Sequence, residues 1–129
     1  MKINAFEVAS KYVYPSLRRR LVEILYRDHK LTQTQVAELL HITQSAVSRY
    51  LRMNRGSFID ISNFQDIDNY LKELADKIIK EKLTEYQIHA ELVEIALKML
   101  GKGYLCPIHE KIDPELDPSK CRICIDLFG

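Results

Sequence analysis

Two short stretches with helical patterning, joined by a tight turn, constrain the fold of this chain more than any other feature. The first begins at Thr32, whose side chain can form a capping box with Gln35, and it ends before His41. The second begins after Thr43. Helices joined so closely need a small residue where they cross, and Ala37 stands at that position. The pattern therefore predicts a compact pair of helices.

The second of these helices has an apolar inner face and a polar outer face. Val47 belongs to the inner face, and Ile42 supplies an apolar residue just after the turn. Residues 32–51 read TQTQVAELLHITQSAVSRYL and resemble the helix-turn-helix of the Cro/repressor (XRE) type. The resemblance implies a DNA-binding domain whose second helix lies in the major groove, with its N-terminal residues at base edges.

The resemblance also implies which side chains contact DNA. Gln44 can form two hydrogen bonds with adenine, and Arg49 can bind guanine or a phosphate. Backbone amides at the start of the first helix can hold a phosphate, and such contacts make binding weaken as salt increases. The predicted contact set is Gln33, Thr34, Thr43, Gln44, Ser45, Ser48, Arg49, Arg52 and Arg55.

His41 departs from the motif, because glycine often occupies this position of the turn. The position tends to need a left-handed backbone, which costs a non-glycine residue about 1 kcal/mol. Histidine is among the more tolerant residue types there. A second interpretation of the helix pair stays open, since small helix pairs also serve as protein-interaction modules. The chain would then be a zinc-containing adaptor.

The distribution of charge agrees with a front half that binds a polyanion. Residues 1–60 contain 10 Lys and Arg against 5 Asp and Glu, whereas residues 61–129 contain 9 against 13. The run Arg18, Arg19 and Arg20 is either solvated or in contact with a phosphate backbone. Two solvated faces of different charge would give the same counts, so charge alone does not decide the function.

The remaining patterns predict an all-α chain. Pro15 suits a first helical turn, Thr84 begins a second capping box, and Gly101 suits a helix end. The predicted helices outside the pair cover residues 4–14, 15–29, 66–83 and 85–101. Residues 54–57 read as a turn, and residues 57–65 read as a linker.

These elements predict three parts. They are a helix-turn-helix DNA-binding domain at residues 1–60, a helical dimerisation or linker segment at residues 61–103 and a small irregular metal-binding tail at residues 104–129. A single helix-turn-helix contacts few bases, and dimers that read two half-sites are the usual solution. We therefore expect a homodimer.

Two apolar stripes are candidate surfaces for that dimer. One consists of Ile67, Leu71, Leu74 and Ile78, and the other of Ile88, Leu92, Ile95 and Met99. The alternative is that each stripe packs within its own chain.

All three cysteines lie within residues 106–124. Two residues separate Cys106 from His109, and two separate Cys121 from Cys124. Such spacing lets a tight turn direct two side chains at one point, and a set of three Cys and one His suits tetrahedral zinc. We therefore predict a structural zinc site that orders a tail with few apolar residues.

Other interpretations of the cluster stay open. The same residues could hold an iron–sulfur cluster, which would make the protein a redox or iron sensor. The thiols could also be free of metal, with Cys121 and Cys124 as a reversible dithiol. Asp113 or Asp126 could replace His109 as the fourth ligand.

The order of the segments resembles a family of small archaeal predicted transcriptional regulators. The resemblance rests on VYPSLRRR, on the helix pair, on the following NRG and on LCPIH at residues 105–109. It implies a regulator with an XRE-type helix-turn-helix and a cysteine-containing C-terminus. Members often carry additional cysteines in the helix before the tail, where this chain reads ELVEIALKM.

Several other classes of protein are disfavoured. No apolar run approaches the roughly 18–20 residues that span a bilayer, and the N-terminus lacks an apolar signal segment. The sequence has no Gly-rich phosphate loop, and a full tetrahedral site would leave no open position for catalysis. We therefore expect a cytoplasmic regulator that binds double-stranded DNA and is not an enzyme.

Overall fold

The computed structural model describes residues 2–52 and 59–129, and the regular structure within these ranges is entirely helical. The α-helices are α1 (Ala5–Val8), α2 (Tyr14–Glu23), α3 (Gln33–Leu40), α4 (Gln44–Leu51), α5 (Gln65–Glu81), α6 (Glu85–Gly101), α7 (Cys106–Ile112) and α8 (Ile123–Phe128). Two π-helical turns, Ala9–Val13 and Ile24–Asp28, and one 3-10 turn, Ile61–Asn63, join them. The all-α prediction is confirmed for these residues. No helix among them is long and apolar enough to cross a membrane.

The N-terminal helices form one continuous helical run, so the separation predicted at Pro15 is absent. The π-helical turn Ala9–Val13 leads directly into α2. The N–H of Tyr14 donates to the carbonyl of Ala9. Pro15 is the second residue of α2 and directly follows the π-helical turn, so the run continues through it with one helical N–H missing.

Helix α2 lies at the centre of the core. It packs against α4, α5 and α6, and its Leu17, Leu21 and Val22 are buried. Leu17 and Leu21 are four residues apart, so they share one face of the helix. One apolar core therefore joins the α3–α4 pair to the α5–α6 pair through α2.

Helices α5 and α6 have nearly the boundaries that the sequence predicts. The left-handed residue Lys82 ends α5, and the predicted capping box between Thr84 and Gln87 begins α6. Both apolar stripes considered as dimer surfaces are buried within the chain, with Leu71 and Ile78 fully buried. This result agrees with the alternative interpretation, in which each stripe packs on its own chain.

Part of the predicted linker belongs to the core, which corrects that prediction for residues 59–65. Ile59 and Ile61 are buried. The N–H of Ile59 donates to Oγ of Ser16 in α2 at 3.3 Å. The two isoleucines bury enough apolar surface to hold this segment against α2. The turn predicted at residues 54–57 lies outside the described residues.

An ion pair fastens α2 to α5. Arg20 donates from Nε and Nη2 to the two carboxylate oxygens of Asp68, at 2.6 and 3.1 Å. Burial alone would raise the pKa of Asp68, but the hydrogen bonds and charge of Arg20, with the charge of Lys72, hold that pKa below its ordinary value. Arg20 is therefore engaged within the fold rather than directed at a phosphate backbone.

The C-terminal tail is helical, which corrects the prediction of an irregular segment. It contains α7 and α8, and α8 packs against α6. The contact is so close that a Cβ on Gly101 would overlap the carbonyl oxygen of Phe128. Leu105 and Leu116 are buried. Apolar contacts with the rest of the chain therefore help to order the tail.

Replacing Asp68 with Asn should destabilise the fold and weaken its dependence on acid pH. The variant leaves Arg20 without a charged partner in a mostly buried position, and we expect the free energy of unfolding at pH 7 to fall by about 2 kcal/mol. The pKa of Asp68 is lower in the folded state than in the unfolded state. Wild-type protein should therefore lose this contribution as pH falls from about 4 toward the folded pKa.

Urea unfolding between pH 7 and pH 3 measures both effects of the Asp68→Asn substitution. Glu73→Gln is the matched control, because Glu73 is exposed on the same helix. We expect the control to unfold like the wild type. Equal stability of Asp68→Asn and wild type at pH 7 would contradict the prediction.

Candidate DNA interface and Cys/His cavity

Helices α3 and α4 form the helix pair that the sequence predicts. Thr32 Oγ1 accepts a hydrogen bond from the N–H of Gln35 at 3.1 Å, and Gln35 Oε1 accepts one from the N–H of Thr32 at 2.9 Å. Thr43 Oγ1 accepts from the N–H of Ala46 at 3.1 Å and so caps α4. Ala37 is buried. Local sequence therefore determines where both helices begin.

The turn between the two helices has the predicted left-handed residue. His41 has φ 58° and ψ 39°, and the N–H of Ile42 donates to the carbonyl of Ala37 at 3.1 Å. His41 Nε2 lies 3.0 Å from the carbonyl oxygen of Leu83, so this nitrogen carries the proton and donates it. The histidine therefore makes a contact to the α5–α6 connection that glycine could not make.

Arg19 holds the C-terminal end of α4 against α2. Its Nε donates to the carbonyl of Tyr50 at 3.3 Å, and its Nη1 lies 3.4 Å from the carboxylate of Glu23. Only 12% of the Arg19 side chain is exposed. Val47 and Tyr50, on the inner face of α4, are buried. Arg19 therefore orients α4, a role that the sequence did not reveal.

The outer face of α4 is open to solvent. Gln44, Ser45 and Arg49 are exposed, and their side chains have no hydrogen-bond or ion-pair partner within residues 2–52 and 59–129. Of the other predicted contact residues, Thr34, Thr43 and Arg52 are exposed, Gln33 and Ser48 are half-buried, and Arg55 lies outside the described residues. Such a face can donate to and accept from base edges and phosphates.

The four predicted metal ligands line one small cavity. Cys106, His109, Cys121 and Cys124 border a space of about 20 Å³, which is room for one water-sized sphere. The three cysteines are half-buried free thiols. Burial raises the pKa of Cys106 and of Cys124, and the charge of neighbouring thiols raises them further. The fold therefore brings these side chains together across the loop that joins α7 to α8.

His109 is buried at this cavity and is held by a backbone group. Its Nε2 lies 2.5 Å from the carbonyl oxygen of Ile3, so Nε2 carries the proton and Nδ1 keeps its lone pair. A histidine that binds a metal through one ring nitrogen commonly donates a hydrogen bond from the N–H of the other to a carbonyl in this way. Of the two alternative ligands, Asp126 is exposed and Asp113 binds the N-terminal segment.

Asp113 is buried and binds two backbone N–H groups. Its Oδ2 accepts from Lys2 at 2.5 Å and from Ile3 at 3.0 Å. The hydrogen bond from Ile3, aided by that from Lys2, holds the pKa of Asp113 below its ordinary value although burial opposes this. Its Oδ1 is buried and has no hydrogen-bond partner among the described residues.

The side chains around the shared cavity do not have the geometry of a metal-coordination site. In the described part of the chain, no three His, Cys, Asp or Glu side chains are arranged so that they could hold a metal ion. The zinc, iron–sulfur and free-thiol interpretations therefore all stay predictions. The donor set and the size of the cavity fit a single metal ion better than a multi-atom cluster.

An apolar groove between α1 and α6 was not predicted from the sequence. The groove has a volume of about 560 Å³, and Phe6, Val93 and Leu97 line it with exposed fractions of 74%, 48% and 37%. Along α6 the exposed residues Tyr86, Ala90, Val93 and Leu97 repeat at spacings of four, three and four. The sequence also contains this second stripe of α6, but the sequence analysis considered only the stripe that the structure shows to be buried.

Comparison with known families agrees with the geometry of α2 to α4. Residues 16–53 match a family of winged helix-turn-helix DNA-binding domains. This segment is therefore a helix-turn-helix DNA-binding domain. The matched family is of the winged type, whereas the sequence resembles the Cro/repressor type, and the residues described here contain no β-strand. No curated protein and no solved structure matches the chain significantly.

Proposed function

We propose that this protein is a transcriptional regulator that binds double-stranded DNA through α4. The observation that carries the proposal is the unpartnered polar face of α4 within a segment that matches DNA-binding domains. In this proposal Gln44 reads a base edge, Arg49 binds guanine or a phosphate, and the amides of Gln33 and Thr34 hold a phosphate. The finer resemblance to XRE-type and archaeal regulators, and a cytoplasmic location, stay predictions.

Alanine substitution on the outer face of α4 tests the proposal. A preferred duplex is first selected from a random library with wild-type protein, and its affinity is measured by fluorescence anisotropy at several salt concentrations. We expect Gln44→Ala and Arg49→Ala each to weaken binding by about tenfold or more, because each loses a base or phosphate contact. If Arg49 binds a phosphate, Arg49→Ala should also reduce the slope of log affinity against log salt concentration by about one.

Matched controls lie on α5. Gln65→Ala and Lys80→Ala remove the same functional group or charge from exposed positions distant in sequence from the helix pair. We expect both to bind the duplex like the wild type. Unchanged binding by the α4 variants would contradict the proposal and favour the protein-interaction adaptor.

We further propose that the protein is a homodimer, assembled along the exposed stripe of α6. Spacings of four, three and four place Tyr86, Ala90, Val93 and Leu97 on one seam, as in helices that pair with a second helix. The same patch on two copies can pair around a two-fold axis. A two-fold dimer presents two copies of α4, which suits DNA sites with two half-sites.

A charge in this seam should disrupt the dimer. We expect Val93→Glu to be monomeric by light scattering and to bind the selected duplex at least about tenfold more weakly, because it must bury a carboxylate in an apolar contact. Glu94→Gln is the control, since Glu94 is exposed beside the seam. A Val93→Glu variant that stays dimeric would show that this stripe is not the interface.

We propose that Cys106, His109, Cys121 and Cys124 hold one structural zinc ion. Support comes from the shared cavity and from the hydrogen bond between His109 Nε2 and the Ile3 carbonyl, which leaves Nδ1 available. Bound zinc would add folding free energy to a tail whose helices have only seven and six residues.

Metal analysis of protein purified without oxygen and without added metal tests the zinc site. We expect one zinc per chain and no visible absorption, and we expect Cys124→Ser to lose the metal. Arg122→Ala is the control, because it leaves every proposed ligand in place. A brown protein with iron and acid-labile sulfide would favour the sensor, and the absence of any metal would favour the free dithiol.

A further inference from the structure

We infer that the pocket between α3 and the α5–α6 connection binds a free α-amino acid whose side chain is aliphatic or aromatic. The pocket has a volume of about 440 Å³, which lies within the range of roughly 300–1,000 Å³ that is typical of small-molecule sites. The inference does not depend on the proposed DNA binding, on the proposed dimer or on a metal ion.

Four aliphatic side chains form the apolar part of the pocket. Leu31 and Leu39 come from the side of α3, whereas Ile79 and Leu83 come from the end of α5 and the connection that follows it. Leu83 is buried and the other three are half-buried, so part of this apolar surface is exposed to water. A ligand with an apolar group gains binding free energy when it covers that surface.

The helix pair supplies two hydrogen-bond acceptors to the pocket. Glu38 and His41 both line it, three residues apart at the end of α3. His41 donates from Nε2 to the carbonyl of Leu83, so its Nδ1 keeps a lone pair. The carboxylate of Glu38 is exposed and has no hydrogen-bond or ion-pair partner within residues 2–52 and 59–129. A primary ammonium group, which has three donors, suits such acceptors.

Lys82 supplies the opposite charge from the other side of the pocket. It ends α5 in a left-handed conformation, with φ 50°, where glycine is the usual residue. Its ammonium group has no partner in the described part of the chain, although Lys82 and Glu38 line the same pocket. By contrast, Lys77 and Glu91 in the groove between α5 and α6 pair with each other at 3.5 Å. One ligand that carries both a carboxylate and an ammonium group would satisfy Lys82 and Glu38 together.

These features together select the class of ligand. A fatty acid would leave Glu38 unpaired, an alkylamine would leave Lys82 unpaired, and glycine would leave the aliphatic surface uncovered. An α-amino acid with an apolar side chain carries all three recognised groups. Such a ligand would contact the helix-turn-helix domain and the α5–α6 connection at once.

Titration of the isotope-labelled full chain with L-leucine, followed by NMR, tests the site. We expect shifts of backbone amides within residues 31–41 and 79–83, with a dissociation constant below about 1 mM. Three analogues each lack one recognised group, since isocaproate lacks the ammonium, L-leucinamide lacks the carboxylate and glycine lacks the apolar side chain. Each analogue should bind at least about tenfold more weakly, because it loses a charged hydrogen bond or apolar burial.

Two substitutions identify which side chain recognises which charge. Glu38→Gln should weaken the binding of L-leucine by about tenfold but leave that of isocaproate unchanged. Lys82→Gly, which suits the left-handed backbone, should weaken L-leucine equally but leave L-leucinamide unchanged. Glu81→Gln and Lys80→Ala are the matched controls, because both residues are exposed and neither lines the pocket, and they should bind L-leucine like the wild type. The same spectra report whether each variant is folded.

Failure of the inference can be recognised without any measurement on DNA. If neither L-leucine nor L-phenylalanine at about 10 mM shifts these amides, the pocket does not bind apolar amino acids and the inference is overturned. If isocaproate or L-leucinamide binds as tightly as L-leucine, the pocket recognises apolar groups only and the assignment to amino acids is wrong. Duplex binding by the α4 variants decides the proposed function separately.

Discussion

The burial of α2 is the constraint on which the rest of the structure depends. Leu17 and Leu21 are almost completely buried, and α2 contacts α4, α5 and α6. Two adjacent arginines of α2 bind two different helices, since Arg19 donates to the carbonyl of Tyr50 in α4 and Arg20 binds Asp68 of α5. Helix α4 and the α5–α6 pair are therefore oriented by the same helical turn of α2. A guanidinium can do this because its fork of donors satisfies a carbonyl or carboxylate at a fixed angle.

Local signals in the sequence predicted the elements whose boundaries are set by local hydrogen bonds. Thr32 with Gln35 and Thr84 with Gln87 are capping boxes, and each box is complete within four consecutive residues. Elements whose position depends on long-range contacts were missed, because the residues that hold them are distant in sequence. Ile59 and Ile61 belong to the core because α2 lies beside them. The polar residues around them led to the prediction of a linker, since the contact with α2 is not visible in the local sequence. The roles of Arg19 and Arg20 also depended on partners more than thirty residues away.

The candidate sites were predictable to different degrees. Polar residues on the outer face of a predicted helix followed from helical periodicity, so the exposure of Gln44 and Arg49 could be anticipated. Spacing also brought the four Cys and His residues into one set, and the structure places them around one cavity. Neither pattern could predict the contact of the N-terminal segment with the tail, because residues 2–3 and Asp113 are more than 100 positions apart in the sequence. Only the fold reveals that residues 2–3 bind His109, which lines the Cys/His cavity, and Asp113.

Most of the arginines in residues 1–60 are engaged by other side chains, so the free positive charge of this half is confined to a few positions. Arg19 and Arg27 both pair with Glu23, Arg20 pairs with Asp68, and Arg18 lies against the ring of Tyr14. Arg49 and Arg52 have no such partner within the described residues, and both lie at the end of α4. Lys30, shortly before α3, is the other front-half cation without an ion-pair partner among the described residues. The positive charge that is free to neutralise phosphates therefore lies near the two ends of the helix pair. A second copy of the chain would double the number of such cations at a DNA site, so the proposed homodimer would strengthen binding most at low salt.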